Sequence, residues 1–240
     1  VIIYFLPDRT SIKKKSSIAE PFSRTGKKSS SIFKIKGVLS LCVIYFLIFF
    51  AFNTYYTAFP VHVVEDFNWS VGQIGYFFSA LSLLMIVAQG PILQLLSEKI
   101  SELKLVLAGS LLLIFNFALL ISNIEWILYL TILFFALGNG LMWPSFLSLL
   151  SRKGTEENQG QIQGVASSFG SLASIAGLVI GGVLYPYLAA NTFIISVLSI
   201  LIVTIYFLYE VFKEKECFGI NKQEYCSLLP NPHSNQEYEL

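Results

Sequence analysis

Seven neutral side chains, Asn53, Tyr56, Asn139, Trp143, Gln163, Ser167 and Ser171, interrupt long apolar runs of this sequence. Serine and threonine can satisfy their hydroxyls on their own helix backbone. Asparagine and glutamine do so less cheaply, so in an apolar surround they turn towards protein or water. Asn53 and Tyr56 stand close to one helical turn apart, and Asn139 and Trp143 are four residues apart on one helical face. Gln163, Ser167 and Ser171 follow one another along a stripe, with Gly170 and Ser174 beside them. Together they would make an aromatic, uncharged, hydrogen-bonding wall. Such a wall suits an amphipathic organic solute better than a bare ion. Hydrogen bonding between helices would draw on the same residue types.

Other chemistry has little to stand on. Cys42, Cys217 and Cys226 make neither a disulfide framework nor metal spacing, and His62 and His233 are far apart. No nucleophile elbow, Walker loop, HExxH or CxxC pair occurs. The expectation is no enzyme, no metal site and no cofactor. A net charge of +1 gives no basic field for nucleic acid. The Asp, Glu, Lys and Arg residues all fall at the ends of the apolar runs or between them. His62 with Glu65 and Asp66 is a local cluster that could change charge; read as a loop, it is simply solvated.

The elements that position these residues are long. Hydrophobic residues make up 55% of the chain and charged residues 13%, against about 25% charge in soluble domains. Hydropathy predicts helices over 37–60, 71–97, 104–122, 126–150, 160–188 and 191–212, each near or above the roughly 20 residues that cross a bilayer. All 16 Lys and Arg fall on one side of these six spans: nine in the first 36 residues, two in each of 97–104 and 151–159, and three in the tail. The loops near 61–70, 123–125 and 186–190 hold none. Positive charge stays cytoplasmic, so both ends of the chain are expected in the cytoplasm, with the plasma and endolysosomal membranes left open.

Gly164 to Gly182, "GVASSFGSLASIAGLVIGG", holds five glycines and four serines in an uncharged run from Gln159 to Tyr209. In lipid, small residues let helix backbones approach closely. Gly177 and Gly181 lie one turn apart, as do Gly164 and Ser168. Gly164, eight residues, Ala173, three residues, Gly177-Leu178, two residues, Gly181-Gly182 follows a known spacing. It resembles the G-x8-G-x3-G-P-x2-G-G motif of the drug-proton antiporter branch of the major facilitator superfamily, with Ala173 and Leu178 as departures. "GQIQGVASSFGSL" is similar to the tetracycline-antiporter-like branch. "QGPILQLLSEKISELKLVLAG", residues 89–109, resembles a degenerate copy of that superfamily's cytoplasmic loop, G-x-L-x-D-R-x-G-R-K. Gly90 and Lys99 match; Gln94, Leu95, Ser97 and Glu98 replace the Asp, first Arg, second Gly and second Arg.

The resemblance implies an all-α integral membrane protein: a six-transmembrane-helix bundle, the C-terminal half of a twelve-helix major facilitator fold. Residues 1–7 would be the end of a truncated transmembrane helix, 8–36 a basic cytoplasmic connector, 37–212 the six-helix domain and 213–240 a cytoplasmic tail. Spans one, two, four and five would face a cavity and spans three and six lipid. Pro144 should kink the fourth. The implied function is secondary active transport of a small organic solute by alternating access, with proton-coupled efflux as the sub-reading. Gly164, Gly177, Gly181 and Gly182 would carry a helix contact able to rock. The implied partners are the solute, the lipid bilayer and an N-terminal six-helix half that this chain lacks. A non-transporting receptor or scaffold of the same fold, or a six-helix channel, stands as the alternative.

Short signals complete the reading. Asn68-Trp69-Ser70 is an N-x-S sequon. "EYCSLL", Glu224 to Leu229, resembles an acidic dileucine sorting signal. Cys217, just past the last span, is either a palmitoylation site or a free thiol.

Overall fold

The structure is a computed structural model and describes residues 37–122, 124–154 and 158–219. The helix end expected over 1–7, the connector over 8–36 and the sorting pattern at 224–229 lie outside the described residues. Six helices follow in order: α1 (Val38–Phe67), α2 (Val71–Ser97), α3 (Glu102–Leu119), α4 (Glu125–Ser151), α5 (Gln159–Leu188) and α6 (Phe193–Gly219). A single π turn, Ala88–Ile92, interrupts α2, and a 3-10 turn, Ala189–Thr192, joins α5 to α6. Among the described residues there is no strand. These helices are long and apolar enough to cross a membrane, and the chain is an integral, multi-pass membrane protein. From Gln159 to Lys213 the helical stretch runs 55 residues, with no charge before Glu210. At about 1.5 Å per residue it exceeds twice the bilayer core, so the turn is what makes it two crossings.

Helix α1 is central. It packs along α5 and α6, α3 packs on α4 and α6, and α2 rests on α4. Four elements meet at Tyr55 of α1, whose ring lies 5.6 Å from Phe117 of α3, 5.0 Å from Phe135 of α4 and 6.4 Å from Phe193 of α6. All four rings are buried. Aromatic faces and edges in offset contact add to simple area burial.

The two ends of the bundle differ in charge. Lys99, Lys104, Arg152, Lys153 and Lys213 all fall at the end where α1 begins. There Glu102 ties α3 to α4, accepting from Arg152 Nη2 at 2.8 Å and from Ser148 Oγ at 2.7 Å. At the opposite end Trp69 Nε1 donates to Glu125 Oε1 at 2.8 Å.

Two helix ends differ most from the hydropathy reading. Helix α1 continues through Pro60 to Phe67 rather than stopping at 60. A membrane-embedded helix tolerates proline because its neighbours re-satisfy the freed backbone groups. It ends at Asn68, left-handed at φ 55, where Trp69 N–H closes back onto Val63 O at 3.0 Å. The sequon is therefore the α1–α2 connection: Trp69 is buried, and Ser70 forms a capping box with Gln73 at the start of α2. Helix α6 runs on to Gly219, past the expected start of the tail at 213, because charge ends a membrane span without ending a helix. Helix α4 runs unbroken through Pro144. Pro91 sits in the π turn of α2, where one extra residue relieves a ring that would clash with the preceding turn. Gly90, the first residue of the loop motif, belongs to that turn, and a side chain there would meet nothing within 4 Å.

Candidate functional site

The buried face of α5 reads Ile162, Ala166, Gly170, Ala173, Gly177, Gly181 and Tyr185. Steps of three and four residues hold these on one side of the helix. That side lies on α1. A Cβ on Gly177 would stand 2.8 Å from Phe50 O, 2.9 Å from Asn53 Cβ and 3.2 Å from Thr54 N. One on Gly181 would meet Thr54 O at 3.0 Å and Thr54 Cα at 3.2 Å, and one on Gly170 would strike the Tyr45 ring. The seam is thus backbone against backbone over two turns. Gly164 does not share it: it is exposed, and a Cβ there would meet nothing within 4 Å. Gly182 is also exposed, at the margin of the seam: a Cβ there would stand at ordinary contact distance, 3.6 Å, from the Thr57 methyl of α1. The phase of Gly164 on the helix turns it away from α1.

The seven neutral candidates fall into two groups. Asn53, Tyr56, Asn139 and Trp143 sit where helices meet. Asn53 Nδ2 donates to Phe49 O at 2.8 Å and across to Ser174 Oγ of α5 at 3.0 Å. Tyr56, 41% exposed, packs on Phe78 of α2 and Phe135 of α4. Asn139 is 7% exposed; its Nδ2 reaches only Met85 Sδ of α2, at 3.8 Å, and its Oδ1 has no partner. Trp143 sets its edge against Tyr45 (5.3 Å) and Phe49 (5.2 Å) of α1, joining α4 to that helix. Gln163, Ser167 and Ser171 form the second group, exposed along α5 beside Gly164 and Ser168. Ser171 Oγ donates to Ser167 O at 3.1 Å and Ser168 Oγ to Gly164 O at 3.0 Å, so these hydroxyls are satisfied within the helix. No bonded contact joins the two groups, but both border α1: Ser174 continues the α5 stripe directly to Asn53.

Two features escape a reading by hydropathy. Gly109 of α3 and Gly138 of α4 form a second backbone contact: a Cβ on Gly109 would lie 2.6 Å from Gly138 O and 2.7 Å from Met142 N. Gly109 stands alone in its helix and Gly138 has only Gly140, two residues on and off its face, beside it, so no helical spacing marks the pair. The other is at the far end of α1. His62 is no loop residue: its side chain is 0% exposed, with Nδ1 2.7 Å from Asp66 Oδ2 and 3.2 Å from Tyr185 OH of α5. The signal that could have found it is the four-residue step from His62 to Asp66, once α1 is carried past Pro60.

The geometry can be set beside known proteins. The tetracycline resistance protein, class C, of Escherichia coli is 27% identical over 128 residues, covering 53% of this chain and 32% of that protein. The class D tetracycline resistance protein of Salmonella ordonez is 27% identical over 123 residues, 50% of this chain and 31% of that protein. The chain thus spans about a third of the length of these curated relatives. In fold it is similar to the crystal structure of the human organic anion transporter MFSD10 (TETRAN), with TM-score 0.63, 23% identity, and coverage of 71% of this chain and 40% of that one. The family model described as Major Facilitator Superfamily matches residues 41–230. That match takes in all six helices, and the chain belongs to the Major Facilitator Superfamily.

Proposed function

We propose that this chain supplies one wall of the solute pathway in a secondary active transporter working by alternating access. The observation that carries the reading is the exposed neutral stripe Gln163, Ser167 and Ser171 on a membrane-length helix. The glutamine of that stripe is the residue that turns to protein or to a water-filled path rather than to lipid tails, and the small serines, Ser171 bonded to Ser167 O within the helix, leave room beside it. A facing set of six helices would complete that path, as the coverage of 40% of the MFSD10 chain and 32% of a tetracycline resistance protein suggests. Helices α1, α2, α4 and α5 would border it, and α3 and α6 would stand behind. An uncharged, partly aromatic wall favours an amphipathic organic solute. The curated relatives are named for tetracycline resistance, and the structural neighbour is titled an organic anion transporter. Proton-coupled efflux is the favoured mode on the resemblance of Gly164–Gly182 to the drug-proton antiporter motif.

The test uses the full-length protein in proteoliposomes, with tetracycline and fluorescein as probes. Saturable counterflow of either, reduced about tenfold or more by Trp143→Ala, is the expected result. Trp143 bridges α4 and α1 and is half-buried, so its removal should cost less than the figure of about 3–5 kcal/mol for a fully buried aromatic, while still loosening that contact. Flux of neither probe through correctly inserted protein would favour the non-transporting scaffold.

Orientation is part of the proposal, with the lysine- and arginine-bearing end cytoplasmic. In a background without the native cysteines, single cysteines at positions 28, 155 and 222 should resist an impermeant thiol reagent in intact cells. A cysteine at position 68 should label. Labelling at 155 without permeabilisation overturns the orientation.

A further inference from the structure

We propose that His62, held by Asp66 and Tyr185, is a proton-binding site built into the contact between α1 and α5. Its link to solute movement rests on the transport reading above; its protonation does not. Three polar atoms converge there. Besides the two contacts of His62 Nδ1, Tyr185 OH lies 3.3 Å from Asp66 Oδ2 and donates to it. Around the imidazole the packing is aromatic: Phe67 at 5.4 Å from α1 and Phe193 at 5.4 Å from α6. Asp66 is the wet end of the cluster, 39% exposed, while His62 is wholly buried.

The arrangement dictates the tautomer. A carboxylate only accepts, so at 2.7 Å the proton of neutral His62 sits on Nδ1. Nε2 then carries the lone pair, and it is buried without a partner. A proton delivered by hydronium adds to that lone pair. As the N–H bond forms, an O–H bond of the hydronium breaks and water is released, and the imidazolium charge is balanced by the Asp66 carboxylate. The groups facing His62 are few. Asp66 and the exposed Glu65 come from its own helix, Tyr185 from α5, and only apolar Phe193 from α6. Among the described residues no lysine or arginine lies at this end of the bundle.

Protonation changes what the interface can tolerate. An Nε2–H with no acceptor, inside an aromatic cage, costs free energy until water or another acceptor reaches it. Thr192 Oγ1, on the turn that packs against α1, is a second buried group without a partner. The protonated state therefore favours a looser contact between α1 and α5 at the Tyr185 end, and the neutral state the closed one seen here.

The test reads the ring directly. Full-length protein is labelled with 15N-histidine, placed in lipid nanodiscs and titrated from about pH 8 to pH 5. The His62 resonance is the one absent from His62→Gln. Expected is an Nδ1–H tautomer at high pH and a doubly protonated ring at low pH. Asp66→Asn should weaken proton binding about tenfold or more, since an opposite charge in contact is removed. Tyr185→Phe, which keeps the ring packing, should also move the midpoint. The melting temperature should fall with acid in wild type and stay flat across the same range in His62→Gln. An Nε2–H tautomer at high pH, or a ring that does not titrate over this range, overturns the proposal. Neither readout uses a solute, so the proton site stands or falls on them even in a protein that carries neither transport probe.

Discussion

Full-length protein with valine at Gly177 is expected to reach the membrane at near wild-type abundance and to carry no solute. The new Cβ stands 2.8 Å from a carbonyl oxygen and 3.2 Å from an amide nitrogen of α1. Neither neighbour is the end of a flexible side chain that could swing aside, so α1 and α5 must separate. Overpacking of this kind costs about 1–3 kcal/mol. A bias of about that size shifts a two-state balance roughly 5- to 150-fold. Gly181→Val meets backbone at 3.0 Å and should act alike, while Gly164→Val meets nothing within 4 Å and should be mild. Flux and surface abundance, measured on the same cells, separate the outcomes. Normal flux in the Gly177 and Gly181 variants removes the close contact as a moving part. Degraded protein would make it a static seam.

At the other backbone contact the expected loss is of the protein itself. Gly109→Val places a methine 2.6 Å from Gly138 O and 2.7 Å from Met142 N, between α3 and α4. Helix α3 has no room to retreat. Its far side packs on α6, and Glu102 pins its start to Arg152 and Ser148. The cost should reach or exceed the top of the same range of about 1–3 kcal/mol, against a total stability on the order of 5–15 kcal/mol. We expect at least a tenfold drop in monodisperse, solubilised protein relative to wild type, with exposed Leu111→Val as an unaffected control. Wild-type abundance in Gly109→Val would show that α3 and α4 can part, and would place the mobile surface there instead.

Why these two glycine contacts differ in legibility is a matter of helical phase. Gly177 and Gly181 stand four apart within a run of small residues, so the sequence alone marks a face. Gly109 is the one glycine of α3, Gly138 shares α4 with Gly140 but not its face, and only the pairing of α3 with α4 gives the contact meaning. The six spans were readable because lipid demands long uncharged runs. Their ends were less so. Pro60 reads as a stop but is carried inside α1, and the charges after Phe212 end the apolar run while the helix continues to Gly219. Gln73, which looks like another polar residue of a span, is spent on the capping box with Ser70. His62 was legible as a titratable residue and illegible as a buried one. Its setting depends on Tyr185, which comes to it from the end of another helix.

The turn at Ala189–Thr192 has a consequence for how the chain enters a membrane during synthesis. The stretch it divides is 55 residues long, and no lysine or arginine marks its middle. An insertion machine that reads greasiness and charge receives no signal between the two crossings. The break is conformational instead: Pro186 in the last turn of α5, then Ala189 at φ 47, a backbone state that alanine seldom adopts. Helices α5 and α6 are therefore expected to partition into lipid together, as one hairpin. The direction in which that hairpin points is then decided outside it, by Arg152 and Lys153 on one flank and Lys213 on the other.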